Sequence, residues 1–236
     1  MRAVVLAAGV GSRLRPCMPD LPKPLVPLAG RPLIAHAIET LASAGVTDAT
    51  IVVGHRGELV RAALREENKP GLRLHFATNV AYAEGNAGSL YAVRHRVEPP
   101  FVLAMADHVA EPSLVRMLIA GAGDRCRLAV ERVEAGDPRA GEATLALVRD
   151  GRVSALDKVL PEWNALDTGF FWCTSSVFDA LTPERRRGEL SLVFSALAAA
   201  GDLDAVDVTG SRWLDIDTEE DLRRAEALFP SHAGPA

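Results

Sequence analysis

Two short runs of this chain carry apolar residues only: positions 3–6 (Ala-Val-Val-Leu) and 101–105 (Phe-Val-Leu-Ala-Met). A strand without a polar side must be buried on both faces, which requires a sheet covered by helices above and below. The segments between them alternate accordingly. Positions 32–44 read as an amphipathic helix, with Leu33, Ile34, Ala37, Ile38 and Leu41 at helical spacing and Gly45 as its stop. Positions 49–53 and 72–77 read as strands, 57–66 and 87–96 as helices. The expectation is an α/β fold of three layers, α/β/α, around a mostly parallel central sheet. The second half is less regular, with strand-like pieces at 127–131, 143–148, 153–156 and 168–172. Asp150-Gly151 reads as a hairpin turn, and helices are expected at 190–200 and 221–228. This makes a smaller, β-rich portion. One domain over 1–229 is expected, with halves 1–110 and 111–229, followed by a disordered tail at 230–236.

At 236 residues the chain can bury a sizeable core. Its net charge is -5, and Arg185-Arg186-Arg187 is too short a basic run to grip nucleic acid; it reads as a solvated loop. No apolar stretch approaches the ~20 residues that span a bilayer. The first apolar run is broken by Gly9, Gly11, Arg13 and Arg15 where a signal peptide would continue. Cys17, Cys126 and Cys173 form neither a metal pattern nor an even disulfide set, which fits a reducing cytoplasm. The chain is therefore expected to be cytoplasmic, with no nucleic-acid partner and no membrane insertion.

The first strand runs directly into Leu6-Ala7-Ala8-Gly9-Val10-Gly11-Ser12-Arg13-Leu14, and Pro22-Lys23-Pro24 follows. Leu14 stands where a dinucleotide-binding G-x-G-x-x-G needs glycine, and no G-K-[ST] closes a Walker A loop. What remains is either an ordinary tight turn or a cradle whose backbone N–H groups face a polyphosphate. Arg13, able to fork onto phosphate oxygens, and Lys23, fixed between two prolines, favour the cradle. Asp107 follows the second apolar strand at the sheet edge where ligands collect, a position suited to Mg²⁺ or to capping a turn. In 213–217, Trp213, Asp215 and Asp217 share one face by strand alternation. Thr218 and Asp221 form a capping-box pattern. His108 has no neighbouring ligand set in the sequence.

The order L-A-A-G-x-G-S-R-L, P-K-P-L, then Gly30-Arg31-Pro32-Leu33-Ile34 resembles the signature of the sugar-1-phosphate nucleotidyltransferases. The resemblance implies a Rossmann-like nucleotide-diphospho-sugar transferase fold and release of pyrophosphate from a nucleoside triphosphate. It implies that Leu6, Ala8, Gly9, Gly11, Ser12, Arg13 and Lys23 hold the nucleotide. Lys23, Arg13 and Asp107 carry the catalysis, and Asp107 and Asp217 bind the metal, Mg²⁺. At finer scale the chain is similar to the inositol-1-phosphate cytidylyltransferases. The residues that carry this run from Gly85-Asn86 and Ser89-Leu90 through Asp107-His108-Val109, Gly141-Glu142-Ala143-Thr144, Asp150-Gly151-Arg152-Val153, Lys158 and Asp167-Thr168-Gly169-Phe170-Phe171 to Trp213–Thr218. By this likeness the partners are CTP, its base read by Gly85, Asn86 and Ser89, and inositol 1-phosphate. Two departures stand out. Ala106 replaces the usual glycine before Asp107, and the membrane-bound second domain of the best-known members is not in this sequence, so a separate enzyme is expected. A homodimer is a further expectation.

The acceptor's chemistry can be argued separately. Glu142, Asp167 and Thr168 can bind hydroxyls, and Lys158 a phosphate. A cage of Trp163 and Trp172 would instead take phosphocholine. An aminoalkylphosphonate with CTP, a hexose 1-phosphate with UTP or dTTP, and a non-catalytic nucleotide-binding relative stay open as alternatives.

Overall fold

The computed structural model describes residues 1–11, 14, 21–66, 71–134 and 136–229. Ser12, Arg13, Cys17 and the 230–236 tail therefore lie outside the described residues. In chain order the strands and helices are β1 (Arg2–Ala7), β2 (Pro27–Leu28), β3 (Arg31–Pro32), α1 (Leu33–Ser43), β4 (Asp48–Val53), α2 (Gly57–Glu66), β5 (Arg73–Thr78), α3 (Ala87–Val93), β6 (Phe101–Met105) and β7 (His108–Ala110). The second half holds α4 (Pro112–Ile119), β8 (Cys126–Arg132), β9 (Leu145–Arg149), β10 (Arg152–Asp157), β11 (Ala165–Cys173), α5 (Ser176–Ala180), α6 (Leu190–Ala199), β12 (Leu203–Asp207), β13 (Trp213–Asp215) and α7 (Glu219–Leu228).

Among the described residues, nine strands form one sheet in the order β5-β4-β1-β6-β11-β8-β12-β10-β9. The chain winds from β1 to β4 and β5 on one side, then crosses to β6 on the other. Both neighbours of β1 are parallel to it, Val5 standing opposite Ile51 and Ala104. This reversal opens a crevice beyond the carboxyl ends of β1 and β6, where open α/β sheets bind ligands. Within the main sheet, pairing is parallel from β5 through β4 and β1 to β6. Beyond β6 the sheet is mixed: β11 is antiparallel to β6 and β8, and β12 is parallel to β8. β11 is almost wholly buried, as β1 is, so burial on both faces says nothing of strand direction.

Helices cover both faces. Ile34, Ile38 and Leu41 of α1, Val60 and Leu64 of α2, and Leu114, Val115 and Leu118 of α4 pack with Ala3, Val5 and Val102 on one side. Leu90 and Val93 of α3 and Val193, Phe194 and Leu197 of α6 pack with Val4, Leu103 and Phe171 on the other. α1 ends as Gly45 implies. Gly45 takes φ +94°, its N–H donates to Ala42 O and the Val46 N–H donates to Leu41 O, both at 3.0 Å. These are the paired bonds of a Schellman stop. α4 and β12 are not legible from apolar spacing, although Pro112 at the first turn of α4 marks a helix start.

Candidate active site

The geometry of the site begins with a two-stranded ribbon at the crevice. β7 pairs antiparallel with β13, setting Asp215 opposite His108, and the Ile216 N–H donates to Asp107 O at 3.0 Å. Asp217 follows at the N-terminus of α7. There Thr218 Oγ1 accepts from the Asp221 N–H (3.2 Å), and Asp221 Oδ2 accepts from the Thr218 N–H (2.8 Å), the reciprocal capping box that the sequence pattern predicts. Ile216 and Leu222 anchor this corner in a small apolar cluster with Leu14, Val26 and Leu28.

Lys23 lies in a short turn of 3-10 helix, Lys23–Leu25. Its Nζ donates to Asp107 Oδ2 at 2.6 Å and to Asp217 Oδ1 at 2.5 Å. The Lys23 side chain is 10% exposed, against 23% and 17% for the two carboxylates. Burial alone would lower its pKa, but Asp107, Asp215 and Asp217 outweigh burial and hold the ammonium charged. Burial likewise opposes ionisation of Asp107, and Lys23 and His108 overcome it, keeping that carboxylate well below its usual range. Gly11 is required behind Lys23. It has φ +66°, and a Cβ there would lie 2.4 Å from Lys23 Cβ.

His108 Nδ1 lies 2.9 Å from Asp107 Oδ1 and 3.7 Å from Asp215 Oδ1. Burial would depress its pKa, yet Asp215 and Asp107 push it up to about 9, so the ring is a cation between two acids at neutral pH. Burial raises Asp215 against the pull of His108. Here the sequence reading of His108 is incomplete, because its partner Asp215 arrives only through the ribbon. Gly169 accommodates the ring: its φ is +77°, and a Cβ would sit 2.3 Å from His108 Cδ2.

Two cavities meet at this point. One, of about 450 Å³, is lined by Leu6, Ala8, Gly9, Gly11, Lys23, Tyr82, Gly85, Asn86 and Ser89. The other, of about 700 Å³, is lined by His108, Arg139, Glu142, Lys158, Asp167, Trp213, Asp215 and Asp217. Asn86, Met105, Asp107 and Glu189 line both. Asp167 and Glu142 thus stand in the second cavity as expected, with Lys158 Nζ donating to Glu142 O at 2.9 Å. Burial pushes Asp167 up to about 6, although the Gly169 N–H donates to it at 2.7 Å.

Thr168 requires correction. It is fully buried, its Oγ1 donates to Ala129 O at 2.8 Å, and it is not part of the cavity wall. β11 and β8 shift register between Asp167 and Phe171, and alternation sends Thr168 away from the side that Asp167 faces. Asn86 and Ser89 also have uses inside the protein. Asn86 Oδ1 accepts the Leu190 N–H at 2.5 Å, and Ser89 Oγ accepts from Asn79 Nδ2 at 3.1 Å. The Arg185–Arg187 run is not a free loop either. Arg186 lies 4.9 Å from the Tyr91 ring centroid, Arg187 pairs with Glu84 at 3.4 Å, and Arg185 donates to Ala180 O. Trp172 is buried in the core and Trp163 packs against it, so they form no cage in the cavity. Arg139, which no sequence pattern marks, is held on the cavity wall by Glu131 (2.7 Å) and Asp137 (2.7 Å).

The donor set suits a hard divalent cation. Carboxylate oxygens of Asp107 and Asp217 converge on a point now filled by the Lys23 ammonium, whereas the charged His108 ring has no lone pair to give a metal.

A glycine-walled cavity at the switch point of an α/β sheet is joined to a charged one through a lysine between two aspartates, an arrangement suited to holding phosphates. Residues 3–169 match the family model described as MobA-like NTP transferase domain, and the chain belongs to that family. It is 37% identical over 230 residues to the bifunctional IPC transferase and DIPP synthase of Rubrobacter xylanophilus, covering 96% of this chain and 51% of that protein. The enzyme of the same name from Aquifex aeolicus is 32% identical, with 95% and 50% covered. The chain thus spans about half the length of these relatives. The UTP–glucose-1-phosphate uridylyltransferase AglF of Haloferax volcanii is 30% identical, with 96% of this chain and 95% of that protein covered. Among solved structures, the inositol-1-phosphate CTP transferase from T. maritima superposes with a TM-score of 0.83 at 25% identity, covering 95% of this chain and 96% of that one. Among the described residues, no helix is long and apolar enough to cross a membrane.

Proposed function

We propose that this chain transfers a cytidylyl group from CTP to inositol 1-phosphate, giving CDP-inositol and pyrophosphate. The observation that carries this reading is Lys23 held by Asp107 and Asp217 where the two cavities join. The named activity of the structural relative supplies the substrates. CTP would occupy the glycine-walled cavity, its triphosphate along Gly9 and Gly11 and its base against the backbone of Gly85 and Asn86. Inositol 1-phosphate would occupy the charged cavity, its phosphate toward Lys158 and its hydroxyls toward Glu142 and Asp167.

An acceptor phosphate oxygen then attacks the α-phosphorus as the bond to the pyrophosphate oxygen breaks. A phosphate dianion is already a nucleophile, so no general base is required and catalysis rests on position and charge. Lys23 offsets charge at the α-phosphate, and Arg13 holds the departing pyrophosphate. Asp107 and Asp217 are the residues that would hold Mg²⁺, which neutralises and orients phosphate oxygens when bound. Cys126 and Cys173 are free thiols, which suits the cytoplasm.

The likeness to the Haloferax uridylyltransferase, which matches this chain over nearly its full length, supports a second reading: UTP with a hexose 1-phosphate. A matrix of CTP, UTP and dTTP against inositol 1-phosphate, glucose 1-phosphate, phosphocholine and an aminoalkylphosphonate, scored by Mg²⁺-dependent pyrophosphate release, separates them. The expected result is fastest release from CTP with inositol 1-phosphate. Faster release from UTP with glucose 1-phosphate selects the second reading, and saturable CTP binding without pyrophosphate from any pair rejects both.

A further inference from the structure

Glu189 is common to both cavities, and its backbone is held on each side. Gly188 O accepts the Ala87 N–H at 3.1 Å, and the Leu190 N–H donates to Asn86 Oδ1 at 2.5 Å. Gly85 is pressed so close that a Cβ on it would lie 2.2 Å from Gly188 O. Leu190 anchors the far side in the core. The position of Glu189 is thus set by the same loop that walls the glycine-lined cavity, while its own side chain is exposed.

Local structure accounts only for a negative charge here, which the α6 dipole favours. The residue is the N-cap of α6, where Ser, Thr, Asp or Asn would bond the first turn, and its carboxylate makes no cap bond. Its backbone oxygen accepts from the Leu192 N–H at 3.1 Å, but its carboxylate forms no hydrogen bond or ion pair among the described residues, although Arg185, Arg186 and Arg187 are close in sequence. An unpartnered carboxylate on a held backbone, at the junction of two ligand cavities, can receive donors from a ligand. A carboxylate repels phosphate and accepts hydrogen bonds, and the donors that a ribose and a polyol acceptor have in common are hydroxyls.

We propose that Glu189 is a specificity-determining residue that accepts hydrogen bonds from ligand hydroxyls where the two cavities join. This rests on the nucleotidyl-transfer reading and adds a residue that discriminates between substrates. The hydroxyls are those of the ribose or those of the acceptor ring, and the test separates the two. Full-length wild type, Glu189→Gln and Glu189→Ala are titrated calorimetrically, without acceptor, with CTP and its 2′-deoxy and 3′-deoxy analogues, or with the corresponding series of whichever ribonucleoside triphosphate the wild type binds. Steady-state KM values for inositol 1-phosphate and for a deoxy-inositol phosphate follow.

If the ribose is read, the wild type prefers the ribonucleotide by roughly 10- to 100-fold, the scale of a charge-assisted hydrogen bond, and Glu189→Ala erases that preference. If the acceptor is read, nucleotide binding is unchanged. The acceptor KM then rises by a similar factor, and the deoxy acceptor shows no further loss in the variant. In either case Glu189→Gln falls between, and melting temperature stays at the wild-type value because the side chain is exposed and unpartnered. Unchanged discrimination in both arms overturns the proposal. So does a loss restored by raising Mg²⁺, which would assign the carboxylate to the metal. Absence of pyrophosphate from every wild-type pair rejects the transfer reading instead, and the calorimetric arm still decides on Glu189.

Discussion

The smaller cavity is walled by two short stretches, 6–11 and 82–89, made mostly of small residues that present backbone. The larger is walled by charged side chains drawn from β7, β11, β13 and α7 and from the loops that carry Arg139, Glu142 and Lys158. A backbone wall reads a ligand by shape and by N–H groups, and any sequence that bends correctly can form it. A side-chain wall needs particular charges at particular distances, so it depends on strands far apart in sequence being brought into register. The two regions meet at Lys23 and Asp107, which is where their difference can be tested.

The largest expected effect is that of Lys23→Ala, which acts on both regions at once. Turnover should fall by about 10³-fold, the scale of removing an electrostatic contact to the developing charge. The same change takes the lysine from Asp217 and leaves Asp107 with His108 alone, at a cost of about 3–5 kcal/mol. Melting should therefore show a deeper loss without divalent ion and a larger gain on adding Mg²⁺ than in the wild type. An equal Mg²⁺ response in both proteins would mean that the carboxylates are not joined through Lys23.

Next is Gly11→Ala, confined to the backbone-walled side. Strain at φ +66° and the 2.4 Å approach to Lys23 Cβ should cost about 1–3 kcal/mol of stability. Turnover should drop by roughly 10-fold as Lys23 is displaced, with the acceptor KM little changed. A rise in acceptor KM alone would show that the two regions are less separate than their walls suggest.

The smallest effect belongs to the charged side. Burial raises Asp167 to about 6 from an ordinary 3.8, so the folded protein holds its proton more tightly than the unfolded chain. That contribution is fully present below pH 4 and is lost as pH rises through 6. Asp167→Asn should therefore stabilise the fold by on the order of 1–2 kcal/mol at pH 7–8 and by nothing near pH 4, while raising the acceptor KM. Denaturant midpoints at the two pH values check the sign. A stability gain that is the same at both would mean that the carboxylate is not the source.

Legibility followed the same division. The glycine loop, Lys23 between its prolines, the end of α1 at Gly45 and the Thr218/Asp221 capping box could all be read because each depends on neighbours in sequence. Asp107 could be placed because it ends an apolar strand. Thr168 was misplaced because simple motif reading gives Asp167 and Thr168 one role, whereas strand alternation in β11 sends them to opposite sides. The arginines at 185–187 carry no local sign that they meet Tyr91 and Glu84.

Taken alone, the sequence determined the alternation of strand and helix, burial of the sheet on both faces, and a glycine turn after β1, since periodicity and turn chemistry act over a few residues. Only the tertiary structure decided that β11 runs against β6, that His108 sits between Asp107 and Asp215, and that Asp217 meets Lys23. Those contacts depend on ribbon pairing between β7 and β13, more than a hundred residues apart in the chain. Strand pairing at that distance is set by how the whole core packs and leaves no mark in either segment.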